Sequence, residues 1–266
     1  MNSAHQLPAE PEAGHTNGAS ALRTTDTLTV AQTSDLIPQK IRAYHVATTD
    51  EHHRYRSWEH CYGYFRAHTA QAIAADRHHA ALQLAFYLAS WGMYRGSSFL
   101  LQRDYTVHLG VIDELTNPAF ASLREQEFGA GPSDKDLLPL VLKAADAVRK
   151  RYKPFAPAAD SRQPSDTLVT KVLLGTLGCL PACDRYFIAG FKKAGLTLSS
   201  LNAKSAARIL KFCHDNLAPL RVEQARIETL SGIHYPLMKL VDMYFWQLGY
   251  EWANSESHPQ PQPPPC

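Results

Sequence analysis

LLPLVLKAADAVRKRY, residues 137–152, decides how this chain is read. Leu137, Val141, Ala144, Val148 and Tyr152 recur at three- and four-residue steps, with charged side chains between them. That spacing lays one apolar stripe along an α-helix and sends the charges to the opposite face. Ser133 followed by Asp136 fits a capping box ahead of the run, so a helix is predicted over 134–152.

The same period extends in both directions. It predicts helices near 36–46, 57–74, 77–101, 103–116, 119–127, 166–179, 182–193, 202–216, 219–230 and 236–252. Ser57 precedes one start, and Pro219 suits the first turn of another. Strand-like alternation is confined to TLTV, 27–30. The expected fold class is all-α, a multi-helix globular bundle.

Residues 1–35, rich in Ala, Pro, Gly, Thr and Glu, are expected to form a disordered or loosely ordered tail, and 253–266 a Pro-rich disordered tail. Between them lies one domain, 36–252. YKPFAPAADSRQP, 152–164, either separates two halves, 40–152 and 165–252, or crosses a single bundle. No internal repeat is visible, which argues against a solenoid.

Composition excludes several classes. Hydrophobic residues make up 45% of 266, enough for a sizeable core. With 27 basic and 25 acidic residues the net charge is +2, which predicts no strong global attraction to nucleic acid or anionic membrane. Cysteines at 61, 179, 183, 213 and 266 are odd in number and scattered, so they read as free thiols in a reducing cytoplasm. No signal-peptide pattern opens the chain. The longest apolar runs, 84–94 and 168–180, fall short of the about 20 residues a bilayer span needs and read as buried helices. In the predicted helix reaching Leu101, Ala85, Ala89, Gly92 and Gly96 would let a neighbouring helix approach closely.

Two groups of polar residues are candidates for chemistry. In SDTLVTKVLLGT, 165–176, Lys171 stands among Val169, Val172, Leu173 and Leu174, where a lysine must either snorkel to water or be paired. With Arg95, Asp166, Asp184 and Arg185 it would form a polar pocket for a small anionic molecule; the plainer reading is a set of helix-end ion pairs. Lys239 and Asp242 interrupt another apolar helix and belong with these buried-charge candidates. The aromatic run YFWQLGYEW, 244–252, suits core, or a partner or ligand surface if one face is exposed.

The second group is RDYTVH, with Arg103, Asp104 and His108. It resembles the signature of HEPN ribonucleases, helical bundles that cleave RNA without metal: an Arg, a polar residue, and a His a few positions on. The resemblance implies a homodimer whose copies line a shared cleft. It implies that Arg103 binds the scissile phosphate, His108 acts as acid or base, and Asp104 orients His108. YLASWGMYRGSSFLLQRDY, SDTLVTKVLLGTLGCLPACDRYF and YPLMKLVDMYFWQLG resemble a set of uncharacterised bacterial all-helical proteins, a likeness that implies no activity.

Six early histidines, at 52, 53, 60, 68, 78 and 79, lack the paired Glu-x-x-His motifs of a di-iron bundle, so no metal is expected. P-loop, dinucleotide, nucleophile-elbow and zincin motifs are missing, and no cofactor is expected. The leading expectation is a helical protein that binds a small anionic ligand or a protein partner. The alternative is a metal-independent ribonuclease using Arg103 and His108, the only reading in which RNA is a partner.

Overall fold

A computed structural model describes residues 30–156 and 164–257. Most of both expected tails, TLTV apart from Val30, and the centre of the Pro-rich connection lie outside those residues. Among the described residues there are twelve α-helices and no strand, as the apolar periodicity predicts. They run α1 (Val30–Val46), α2 (Arg56–Ala67), α3 (Ala70–Ala75), α4 (Arg77–Ser90), α5 (Leu109–Leu115), α6 (Ala121–Glu125) and α7 (Asp134–Tyr152). After the connection come α8 (Asp166–Thr176), α9 (Arg185–Lys193), α10 (Ala203–Asp215), α11 (Leu217–Ser231) and α12 (Leu237–Ser257).

The terminal helices reach further than expected. α1 begins at Val30, inside the predicted N-terminal tail, and α12 runs to Ser257, inside the predicted C-terminal one.

α7 has the predicted bounds, but its start is made differently. Ser133 forms no side-chain cap. The buried Asp134 carboxylate instead accepts the N–H groups of Gly129 (2.8 Å) and Gly131 (3.0 Å) and meets His214 Nε2 at 2.7 Å. The predicted start at Ser57 also moves: α2 begins one residue earlier, and the Ser57 hydroxyl donates back to the Arg54 carbonyl.

Three predicted helices are broken. The chain turns extended at His68, and Thr69 caps α3 by accepting the Ala72 N–H. α4 stops at Ser90, because Gly92 (φ 73°) and Gly96 (φ 60°) take up the left-handed region that side-chain-bearing residues avoid. These two glycines therefore make turns and do not serve as a packing stripe. α4 is also not apolar-buried all round, since Leu82 and Phe86 are exposed. Further on, Tyr105–His108 is a short 3-10 turn ahead of α5.

Packing centres on two buried helices. Every residue of α8 from Leu168 to Thr176 is buried, and α8 packs on α2, α4 and α7. α12 packs on α1, α9 and α11, with Leu237 to Trp246 all buried. Full burial of each large apolar side chain there is worth about 1.5–3 kcal/mol. The two candidate halves share this core: the Trp58 indole N–H donates to the Leu174 carbonyl at 3.1 Å, and the Cys61 thiol to that of Gly175 at 3.3 Å.

The tightest crossing joins α9 to α12. A Cβ on Gly190 would collide with the Phe245 carbonyl, and one on Gly249 with that of Tyr186. The two backbones are in direct contact, and no small side chain fits between them. Gly63, in the middle of α2, has open space where its Cβ would be. We expect Gly190→Ala and Gly249→Ala each to destabilise by about 3 kcal/mol, the upper range for overpacking. Gly63→Ala should stabilise by roughly 0.5–1 kcal/mol, because glycine is the poorer helix former. Urea unfolding midpoints of the three variants check both signs.

Candidate functional site

Lys171 and Lys239 are the two lysines enclosed by the core, with side chains only 3% exposed. A charge so placed needs a partner, since an unpaired one costs several kcal/mol. Lys239 Nζ lies 2.9 Å from Asp242 Oδ2 and donates to the Tyr44 hydroxyl at 3.1 Å. It also sits over the rings of Tyr44 and Trp58, 4.7 and 5.0 Å from their centroids. The other oxygen of Asp242 accepts the Ala182 N–H at 3.0 Å. Burial pushes the Asp242 carboxyl above its ordinary range, and the Lys239 charge and hydrogen bond oppose that shift.

Lys171 Nζ stands 3.3 Å from Asp184 Oδ2 and 4.8 Å from the centre of the Trp91 ring. Asp184 caps α9, its Oδ1 accepting the N–H groups of Tyr186 and Phe187, so Oδ2 is left for the lysine. Burial lowers the affinity of Lys171 for its proton, and the Asp184 and Asp242 charges oppose this. Segment 180–184, which carries both contacts, is pinned to α8: Thr170 accepts the Cys183 N–H at 2.9 Å, and Thr167 donates to the Cys183 carbonyl at 2.9 Å.

Above Lys171 an open cavity of about 320 Å³ reaches the surface. Its charged lining is Arg54, Arg95, Lys171, Asp184 and Arg185; its walls are Trp91, Tyr186, Trp246 and Tyr250. Tyr44, Tyr55 and Trp91 stack in series at 4.6 and 5.0 Å, and Trp246 stands edge-on to all three. Arg54 lies 5.5 Å from the Trp91 ring centre, and Arg185 lies over Tyr186 and donates to its hydroxyl at 2.6 Å. Arg95 folds over Gly92, where a Cβ would come within 2.6 Å of its Nε. Among the described residues none of these three arginines is paired with a carboxylate. The Trp91 indole N–H is buried and has no acceptor among the same residues.

Four of the five residues predicted for an anion pocket, Arg95, Lys171, Asp184 and Arg185, therefore line one cavity. Asp166 does not. It is held by Arg149 Nη2 at 2.6 Å and accepts the Leu201 N–H at 2.6 Å, joining α7, α8 and the approach to α10. Sequence reasoning missed Arg54, which lies outside any periodic segment, and Trp91, which it placed inside a helix. Larger hollows exist, but none combines three arginines with aromatic walls as this one does. In one of about 560 Å³, Arg66 and Arg124 donate to backbone carbonyls at the ends of α6 and α2.

Arg103, Asp104 and His108 are not brought together. Arg103 is exposed at the end of a 3-10 turn, and Asp104 is exposed and caps the next turn, accepting the N–H and hydroxyl of Thr106. His108 is fully buried, its Nε2 2.7 Å from the Tyr94 hydroxyl and its Nδ1 2.6 Å from that of Tyr152. A neutral imidazole has one donor and one acceptor nitrogen, so one tyrosine donates to the ring and the other accepts from it. Burial pushes the His108 pKa down to about 3.

Comparison with protein-family models, with curated proteins and with solved structures finds no match for this chain.

His108 should show ring-nitrogen shifts of a neutral imidazole throughout the neutral pH range by NMR. Tyr152→Phe, which leaves one buried ring nitrogen unsatisfied, should cost roughly 1–3 kcal/mol in chemical denaturation.

Proposed function

We propose that this protein binds a small anion carrying a flat apolar body in the cavity between α8, α9 and α12. The observation that carries this reading is the charge of the lining: four cationic side chains against one carboxylate, with three arginines free of carboxylate partners among the described residues. Such a surplus is repulsive when the cavity is empty and is relieved by an incoming negative charge. The guanidinium groups supply planar, charge-assisted hydrogen bonds suited to carboxylate or phosphate. The aromatic walls suit a ring or a conjugated chain, and the volume lies at the lower end of the range for small-molecule sites, about 300–1,000 Å³. The protein partner that the sequence also allowed has no comparable feature in its favour.

The ribonuclease alternative draws no support from this geometry. Its proton-transfer residue must reach a phosphate from water, and His108 is enclosed. We assign the protein to the reducing cytoplasm, in keeping with free thiols at Cys61, Cys179, Cys183 and Cys213. No helix among the described residues is long and apolar enough to cross a membrane.

Trp91 and Trp246 line the cavity, so their fluorescence reports occupancy. Titration with benzoate and with phenyl phosphate should give a saturable change that weakens as salt is raised. Arg54→Ala, Arg95→Ala and Arg185→Ala should each weaken binding by about tenfold, the loss of one partly exposed charge-assisted contact. Absence of a saturable change with either probe, or equal affinity in all three variants, rejects the reading.

A further inference from the structure

Past the rim arginines the cavity reaches a lysine enclosed by the core. Lys171 Nζ is enclosed by the core yet lines the open cavity, with a carboxylate oxygen 3.3 Å away. Lys239, which has its own carboxylate in Asp242, sits over the same Trp91 ring as Lys171, 5.7 Å from its centre, and adds to the burial that disfavours the charged form of Lys171, against the attraction of Asp184 and Asp242. A lysine held in an apolar setting beside another cation is the arrangement that frees an amine to act as a nucleophile. The rim arginines stand on the solvent side of the same cavity. A ligand held there by its anionic group would direct its other end toward Lys171.

We propose that Lys171 forms an imine with the carbonyl carbon of an oxo acid whose carboxylate is held by the rim arginines. This rests on the anion-binding reading and adds a covalent step to it. Asp184 Oδ2 is the proton carrier, since its Oδ1 is committed to the α9 backbone. The Lys171 ammonium gives a proton to Asp184, and the freed lone pair attacks the carbonyl carbon. The C=O π pair moves to oxygen, which takes the proton from Asp184. The nitrogen, now positive, returns a proton to Asp184, which passes it to the hydroxyl as the C–O bond breaks. Water leaves, and the nitrogen lone pair closes the iminium. The net change is ammonium plus carbonyl to iminium plus water, with Asp184 again a carboxylate and no oxidant or other reactant consumed. The aromatic walls favour an aryl oxo acid over a short aliphatic one.

The test uses the whole protein with phenylpyruvate and sodium cyanoborohydride, read by intact mass and peptide mapping. The expected result is one adduct, heavier than the protein by phenylpyruvate less one oxygen atom, on the peptide that contains Lys171. Phenyllactate, which keeps the carboxylate and ring but has no carbonyl, should bind by fluorescence, give no adduct, and compete with labelling. Lys171→Arg should abolish the adduct. Should that variant fail to fold, Arg95→Ala, altered at an exposed position, should label about tenfold less at equal phenylpyruvate. If phenyllactate and phenylpyruvate both bind but no adduct forms on Lys171, or label spreads evenly over surface lysines, the imine is rejected and the anion site stands. If neither compound binds, both readings fall.

Discussion

A charged group taken out of water must be met by another charge, and four such groups meet at the centre of this molecule. Lys239 and Asp242 lie on α12, Lys171 on α8, and Asp184 at the start of α9. Lys239 and Asp242 pair within α12, whereas the Lys171–Asp184 pair and the Ala182 N–H to Asp242 bond form only when α8, α12 and segment 180–184 are in register. A hydrophobic core of the same shape would tolerate sliding between helices, because apolar contacts have no direction. The Lys171–Asp184 pair does not tolerate it, since displacing either member leaves a desolvated charge. The aromatic stack of Tyr44, Tyr55 and Trp91 then fills the remaining space on α1, before α2 and after α4, so those segments are referred to the same centre.

The helices were legible where an apolar stripe had one polar face. α7 lies within its predicted bounds because its stripe and the Tyr152 end are unambiguous. The stretch from 84 to 101 was misread because it is apolar on all sides, and such a run has no phase from which to find its end. The stop comes from the backbone freedom of Gly92 and Gly96, which the same residues inside a helix would also display as small side chains. Ser133 was misread for a related reason. A serine ahead of a helix signals a cap, but here the Ser133 side chain makes none, and Asp134 next to it ties the helix start to the Gly129 and Gly131 amides.

The site was legible in part, through the oddness of a lysine in an apolar helix. Lys171 stands out because it sits among Val169, Val172, Leu173 and Leu174 on α8, and Asp184 because it falls in the first turn of the helix predicted over 182–193. Asp166 satisfied the same kind of expectation and went elsewhere, since a carboxylate at one helix start serves Arg149 and the Leu201 amide equally well. Spacing along the chain does not choose between such partners. His108 makes the complementary case. A histidine near an arginine and an aspartate reads as chemistry, yet its two hydroxyl neighbours, Tyr94 and Tyr152, come from beyond α4 and from the far end of α7.

The contact of α9 with α12 at Gly190 and Gly249 has a consequence for how this fold varies. Tyr186 stands one turn before Gly190, and Trp246 and Tyr250 flank Gly249, so the two glycines set the separation of one whole wall of the cavity. Neither can be exchanged alone, and exchanging both would move the helices further apart still. The pair must be inherited together. A diverged chain with both glycines at this spacing would keep the separation of α9 and α12, and with it the position of this wall, even where its side chains had changed. A chain lacking either would hold a hollow of another size and accept a different class of guest.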